Sequence, residues 1–323
     1  MGEKASIFQG VQVGIQTLAG TGVDADLKLL SVSVVPQPRT EADQFRPMGS
    51  KYPSFVTLSK EWSELAIEGK LTYNEIVYLL SSFLSAPTPV QQGATTAYKW
   101  TFVSDTDGED DGELLTIQQG DANNAWEVID GRVNGLTFTF NRSGANVNGS
   151  GIAGKLDTTA TLTVSPTSLT PLPILAGHLS FKMADTQAGL AGATALTRGF
   201  SMEFSLTDKS GLAWPVGQEP VPVETTPNIQ AKLKLATDTV GMGLIATMRA
   251  GTTKWFRIKG TGALIEDTYY NDFQLDFPAQ IEAPGDMSDQ EGLYALEYSL
   301  IPIHDSTWGK AFQIDIINAV TAL

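Results

Sequence analysis

Apolar and polar residues alternate with a period of two along most of the chain, the spacing of strands with one packed face and one wet face. In the first half this predicts strands over Leu27–Val35, Phe55–Leu58, Trp62–Leu71, Tyr98–Val103, Leu114–Ile117, Trp126–Val133, Leu136–Phe140 and Ala160–Val164. The second half repeats the habit at Leu179–Met183, Phe200–Leu206, Ala231–Leu235, Trp255–Lys259, Phe273–Phe277, Leu293–Ile303 and Phe312–Ile317. In that last strand Phe312, Ile314 and Ile316 share one face while Gln313 and Asp315 share the other. The period becomes helical in two places. Thr72-Tyr-Asn-Glu75 has capping-box spacing and precedes Ile76, Val77, Leu79, Leu80, Phe83 and Leu84 on one helical face. Ala86-Pro-Thr-Pro89 ends that helix.

The second helical stretch exposes a repeat. Leu65–Leu84 runs from a strand (Ile67, Gly69, Leu71) into its helix, and Ile229–Met248 does the same from Ala231, Leu233 and Leu235, so that Ile76 falls on Val240. Lys99-Trp100 then answers to Lys254-Trp255. A duplication of about 150 residues fits ordinary domain size and suggests a part made for pseudo-symmetric assembly. The implied division is a Gly/Thr-rich flexible arm at 1–26, a first domain at 27–164, a linker at 165–178 and a second domain at 179–323. Tyr98–Val103 and Leu114–Ile117 pair as a hairpin across an acidic tip. Pro36–Ser54 reads as a long loop carrying Arg39, Arg46 and Lys51, and Gly217–Pro227 as an extended one.

Composition narrows the function. The 323 residues carry a formal charge of −15, with 36 Asp and Glu against 21 Lys and Arg, so no basic footprint for nucleic acid is expected. Zero cysteines exclude disulfides and thiolate chemistry. No apolar run approaches the roughly 18 residues of a membrane-spanning helix, and the start lacks the apolar core of a signal peptide.

Candidate chemistry is thin. Gly149-Ser-Gly-Ile-Ala-Gly154 spells a dinucleotide fingerprint, but no strand-to-helix context surrounds it, and a Gly-rich hairpin turn is the expectation. The acidic hairpin Asp105, Asp107, Glu109, Asp110, Asp111, Glu113 fits neither calcium-loop register: Asp110 stands where one needs Gly, and Gln118 where the other needs Glu. A solvated hairpin tip is the reading. The two histidines, His178 and His304, have no ligand spacing. No metal site, cofactor or catalytic residue is expected, and the chain reads as a non-enzyme. The two Lys-Trp pairs read as core or interface rather than base-stacking residues.

Five segments are similar to tail tube (major tail) proteins of long-tailed bacteriophages: Gln12-Val-Gly-Ile-Gln16, Asp24-Ala-Asp-Leu27, Phe45-Arg-Pro-Met-Gly49, Leu65-Ala-Ile-Glu-Gly-Lys-Leu-Thr-Tyr73 and Tyr78-Leu-Leu80. The closing Phe312–Leu323 resembles that family's last strand. The resemblance implies a mainly β fold in a duplicated form: two similar units, each of two packed antiparallel sheets flanked by one α-helix, joining into a ring-wide β-barrel. It further implies a virion protein assembled in the host cytoplasm, with trimeric pseudo-hexameric rings stacked into the tube that conducts DNA. Tape measure, tail terminator and distal tail proteins would be its partners, and DNA would pass without specific binding through an acidic bore. An inter-ring stacking loop would hold Arg39, Phe45, Arg46 and Lys51. The alternatives are a secreted-type β-sandwich binding module, for example for carbohydrate, and another virion part such as a decoration or baseplate protein.

Overall fold

A computed structural model describes residues 9–121, 123–216 and 220–323, and strands dominate it. The first half holds β1 (Gly10–Gln16), β2 (Leu27–Leu29), β3 (Val32–Phe45), β4 (Phe55–Lys70), α1 (Ile76–Phe83), β5 (Val90–Gln91), β6 (Tyr98–Phe102), β7 (Leu114–Gly120), β8 (Ala125–Asn141), β9 (Gly144–Ala153) and β10 (Thr167–Ser168). The second holds β11 (Leu179–Ala184), the short α2 (Gly189–Gly192), β12 (Gly199–Thr207), β13 (Ser210–Ala213), β14 (Val221–Glu224), β15 (Asn228–Ala236) and α3 (Thr239–Arg249). It ends with β16 (Lys254–Glu266), β17 (Tyr269–Pro284), β18 (Ser288–Gln290), β19 (Leu293–Pro302) and β20 (Gln313–Asn318).

Antiparallel ladders run β1–β7–β8–β9–β4–β3 in the first half. In the second they run β11–β16–β17–β19–β15–β12. Two joints stitch the halves together. Leu136–Phe140 of β8 pairs with Met202–Leu206 of β12, and β20 lies between β17 and β6. Among the described residues, only the β13–β14 hairpin stands apart from the large sheet. The core is likewise continuous across both halves. Phe204 meets Phe277 at 5.0 Å and Phe312 at 5.7 Å, and Phe140 meets Phe273 at 5.6 Å. Burying each such ring contributes about 1.5–3 kcal/mol.

α1 is buried on every side, where an apolar face alone was expected inside. Its remaining positions tolerate this because small hydroxyls satisfy themselves: Ser81 Oγ donates to Val77 O at 2.6 Å, and Ser82 Oγ accepts from Val133 N at 3.1 Å. α3 buries only Gly241 and Leu244, and Asp238 caps it by accepting from Val240 N and Gly241 N. The capping box before α1 forms by half. Glu75 N donates to Thr72 Oγ1 at 3.4 Å, while the Glu75 carboxylate turns away to accept from Leu30 N at 2.8 Å and Ser31 N at 3.0 Å. Those two amides are thereby lost to any ladder, and the expected strand Leu27–Val35 breaks into β2 and β3 at that point.

Several expectations need correction. The expected arm at 1–26 contains β1, which pairs with β7 over all seven of its residues; residues 1–8 lie outside the described part. Its glutamines permit burial on both faces, as when Gln16 Oε1 accepts from Asp130 N at 2.8 Å. Ala160–Val164 forms no strand, because side chains take its backbone groups: Thr163 N donates to Gln118 Oε1 at 2.8 Å. The Gly149–Gly154 stretch is not a turn but the second half of β9, with Gly154 just past its end. A Cβ at Gly149 would come within 2.5 Å of Gly135 O, and one at Gly151 within 2.7 Å of Arg132 O, so close strand approach demands glycine at both. The linker at 165–178 is laced down, with Ile174 N donating to Leu71 O and Ala145 N donating to Ile174 O, each at 3.0 Å. Trp100 and Trp255 are core residues, as expected.

Candidate functional site: a projecting hairpin

The stretch from Pro36 to Ser54 is not a loop. β3 continues to Phe45 and pairs with β4 as far as Phe45↔Phe55. Pro36 and Pro38 do not stop it because β3 pairs, among the described residues, with β4 alone, and an edge strand tolerates a missing N–H on its outer side. β4 gains its second neighbour, β9, only from Ser63 onward. Beyond that point β3 and β4 form ladder pairs, among the described residues, only with each other and project about 25–30 Å at the usual strand rise. The tip closes through Ser54 N to Phe45 O at 3.1 Å and Arg46 Nε to Ser50 O at 2.8 Å, with Gly49 at φ 80 making the turn.

Both faces of this projection are wet, yet they carry Phe45, Met48, Tyr52, Phe55, Val56 and Leu58, all exposed. A lone two-stranded hairpin is marginal in water, and a contiguous exposed apolar patch marks a contact surface. At its base Trp62 packs edge-on against Trp214 at 5.6 Å, and Lys60 Nζ sits 5.7 Å above the Trp214 ring. Trp214 belongs to the connection of the β13–β14 hairpin, which thus braces the projection.

Arg39, Phe45, Arg46 and Lys51 all lie on this element, with the last three at the tip. Their charge is less available than composition suggests. Arg39 is ion-paired to Glu64 at 2.8 Å, Arg46 binds its own turn, and Lys51 lies 5.8 Å over the Tyr52 ring. Over 37–62 the bases Arg39, Arg46, Lys51 and Lys60 face the acids Glu41, Asp43 and Glu61, so the surface is mixed and apolar rather than strongly basic. Sequence reading missed Met48, Tyr52, Phe55, Val56, Leu58, Trp62 and Trp214. The signal available was the alternation of Val56, Leu58 and Trp62 with Thr57, Ser59 and Glu61, which continues the strand pattern through 55–62.

The acidic segment is not the tip of a β6–β7 hairpin. β6 pairs with β5 and β20, whereas β7 pairs with β1 and β8, so residues 103–113 cross from one ladder to the other. They pass the end of α1, where Glu113 N donates to Ser81 O at 2.8 Å. Asp105, Asp107, Glu109 and Asp111 are exposed, Glu113 is half-buried and Asp110 is buried. Asp110 is ion-paired with the equally buried Lys209, whose Nζ also reaches Glu224 at 2.9 Å. Asp110 further accepts from Asp105 N at 2.9 Å and Ser104 Oγ at 2.8 Å, while its own N donates to Glu224 Oε2 at 2.7 Å. Backbone N–H donation, foremost from Asp107, holds the Asp105 carboxyl below its ordinary range, and burial raises that of Glu113. The segment is a lock between halves. No group of three or more acidic or histidine side chains poised for a metal ion occurs among the described residues.

Elsewhere an open cleft is flanked by the exposed ion pair Arg142–Glu291 at 2.7 Å and by Lys234, which donates to Gln290 at 2.9 Å. His178 Nδ1 lies 3.3 Å from Tyr73 OH. Neither arrangement sets a nucleophile against a base. Compared with known proteins, the chain matches no family model and no curated protein.

Proposed function

We propose that this chain is a structural subunit of a phage tail tube, built as two similar units and assembling with copies of itself into rings that stack into a hollow tube. The observation that carries the reading is the ladder order. β1, β3, β4, α1, β7, β8 and β9 follow one another in the chain and are arranged β1–β7–β8–β9–β4–β3; β11, β12, β15, α3, β16, β17 and β19 repeat both the sequence order and the spatial order. The repeat supports a duplicated unit; setting Ile67 on Ala231 and Gly69 on Leu233 then sets Val34 on Phe204 and Val32 on Met202. It places β16 opposite β7, so the Lys99-Trp100 and Lys254-Trp255 likeness is set aside.

The projecting hairpin supports stacking, since its apolar tip has no partner among the described residues and would be buried against the next ring. Two units per chain suit three chains in a pseudo-hexameric ring. The net charge of −15 suits a conduit that does not hold a polyanion, the DNA it would conduct. Tape measure, terminator and distal tail proteins are the partners this role would call for. Negative-stain imaging of the concentrated protein tests the reading. Rings or tubes with a central hole are expected; monodisperse monomers at every concentration would overturn it.

A further inference from the structure

The two halves share a ladder order but differ in one neighbour. Leu65, Ile67 and Gly69 of β4 pair with Pro36, Val34 and Val32 of β3. Ile229, Ala231 and Leu233 of β15 pair with Leu206, Phe204 and Met202 of β12. Val32, Val34 and Pro36 therefore occupy the places of Met202, Phe204 and Leu206, and all six are buried. On the other side of each ladder, Leu136 of β8 lies opposite Gly149 of β9, as Ile281 of β17 lies opposite Leu300 of β19.

β8 carries a strand on its far edge, because Leu136–Phe140 pairs with β12 while also pairing with β9. The matching stretch of β17, from Gln280 to Pro284, pairs among the described residues with β19 alone. The matching strand for that edge is β3, which among the described residues pairs with β4 alone. The chain thus contains one finished joint between a β8-type edge and a β3-type strand, and the two unjoined sides of another. The free side of β3 has the donors for it. Ser31 O accepts from Lys70 N at 3.0 Å, so by strand alternation the N–H groups of Val32 and Val34 point away from β4, and Pro36 ends the run.

We infer that these two sides join one copy of the chain to the next, with β17 from Ile281 to Pro284 lying antiparallel beside Val32–Pro36 of a second copy. The contact is head-to-tail, which generates a ring when the rotation closes, and it covers the two edges that a solitary sheet leaves open. The inference rests on the tube-subunit reading and specifies which surfaces meet. Within the chain, Thr137 Oγ1 and Ser205 Oγ touch at 2.8 Å across the finished joint. Their counterparts across the intermolecular joint are Ala283, in the irregular stretch between Ile281 and Ala283, and Val35.

Because the chain has no cysteine, a Val35→Cys/Ala283→Cys double variant reports this contact directly. Mild oxidation of its assemblies is expected to yield covalent oligomers that reduction dissolves, while a Thr137→Cys/Ser205→Cys control closes a bridge within one chain. Rings or tubes that form without cross-linking overturn the joint and leave the tube reading standing. An unsubstituted chain that never self-associates overturns both. Should the double variant not assemble, the two single variants decide by thiol alkylation in the presence of the unsubstituted chain. Slower reaction at both positions in assemblies supports the joint, and an unchanged rate at either overturns it.

Discussion

Asp110 and Lys209 show how much one residue pair can hold. Both side chains are almost wholly buried, at 1% and 2% exposure, so removing one partner strands a charge away from water. Lys209→Met is expected to cost about 3–5 kcal/mol, the usual penalty for breaking a buried pair from one side, read as a lower urea midpoint at unchanged m. Glu224→Gln should cost less, since Glu224 keeps 17% exposure. Asp272 gives a test in pH. Burial is the largest influence on its carboxyl and raises its pKa, against the Thr261 hydroxyl and Lys259. The folded state therefore binds that proton more tightly than the unfolded chain, and the contribution of Asp272 to stability falls as pH rises through the carboxylate range. Asp272→Asn, which mimics the protonated form, should flatten that fall in urea titrations between about pH 4 and pH 7. The sequence could not reveal the lock. Nothing local marks Asp110 among five neighbouring acids, and its partner lies 99 residues away.

At the level of elements, alternation located most strands but not their partners. β12, β15, β19 and β20 were legible because buried residues alternate along most of each. The outer half of β3 was not, since Gln37–Phe45 is exposed on both faces and leaves no pattern to read. The acidic segment misled for a related reason: two strands joined by a polar stretch resemble a hairpin, and only the ladders show that β6 and β7 part company. The projecting hairpin is nevertheless separable from the fold it springs from. Replacing Ala42–Ser59 by Asn-Gly joins Glu41 to Lys60, already a register pair, through a tight turn of the favoured type. Such a variant is expected to melt within a few degrees of the parent and to form single rings but no tubes by electron microscopy. Tubes of normal length from it would remove any stacking role.

At the scale of the whole molecule, the two expected domains, 27–164 and 179–323, share one core. One core and two cross-half joints make the halves interdependent, which a sequence division at 165–178 could not foresee, because ladder partners between β8 and β12 leave no periodic trace. The arrangement leaves the peptide Lys51-Tyr52 exposed at the tip of a hairpin that springs free of the core, while Arg46 is followed by Pro47. Trypsin should cut the unassembled chain first after Lys51, giving fragments readable by mass, and assembly should slow that cleavage at least tenfold.

The last strand sets a schedule for synthesis. Trp100 Nε1 donates to Asn318 Oδ1 and Val320 O, each at 3.2 Å, and Asn318 Nδ2 donates to Tyr73 O, 245 residues earlier, at 2.7 Å. At roughly 5–20 residues per second on a ribosome, Tyr73 waits about ten to fifty seconds for that partner. Throughout this interval β6 lacks β20 along one side, and the indole N–H beneath it has no acceptor. The early chain must therefore pass its nascent life open, with its aromatic interior sealed only once β20 has been made.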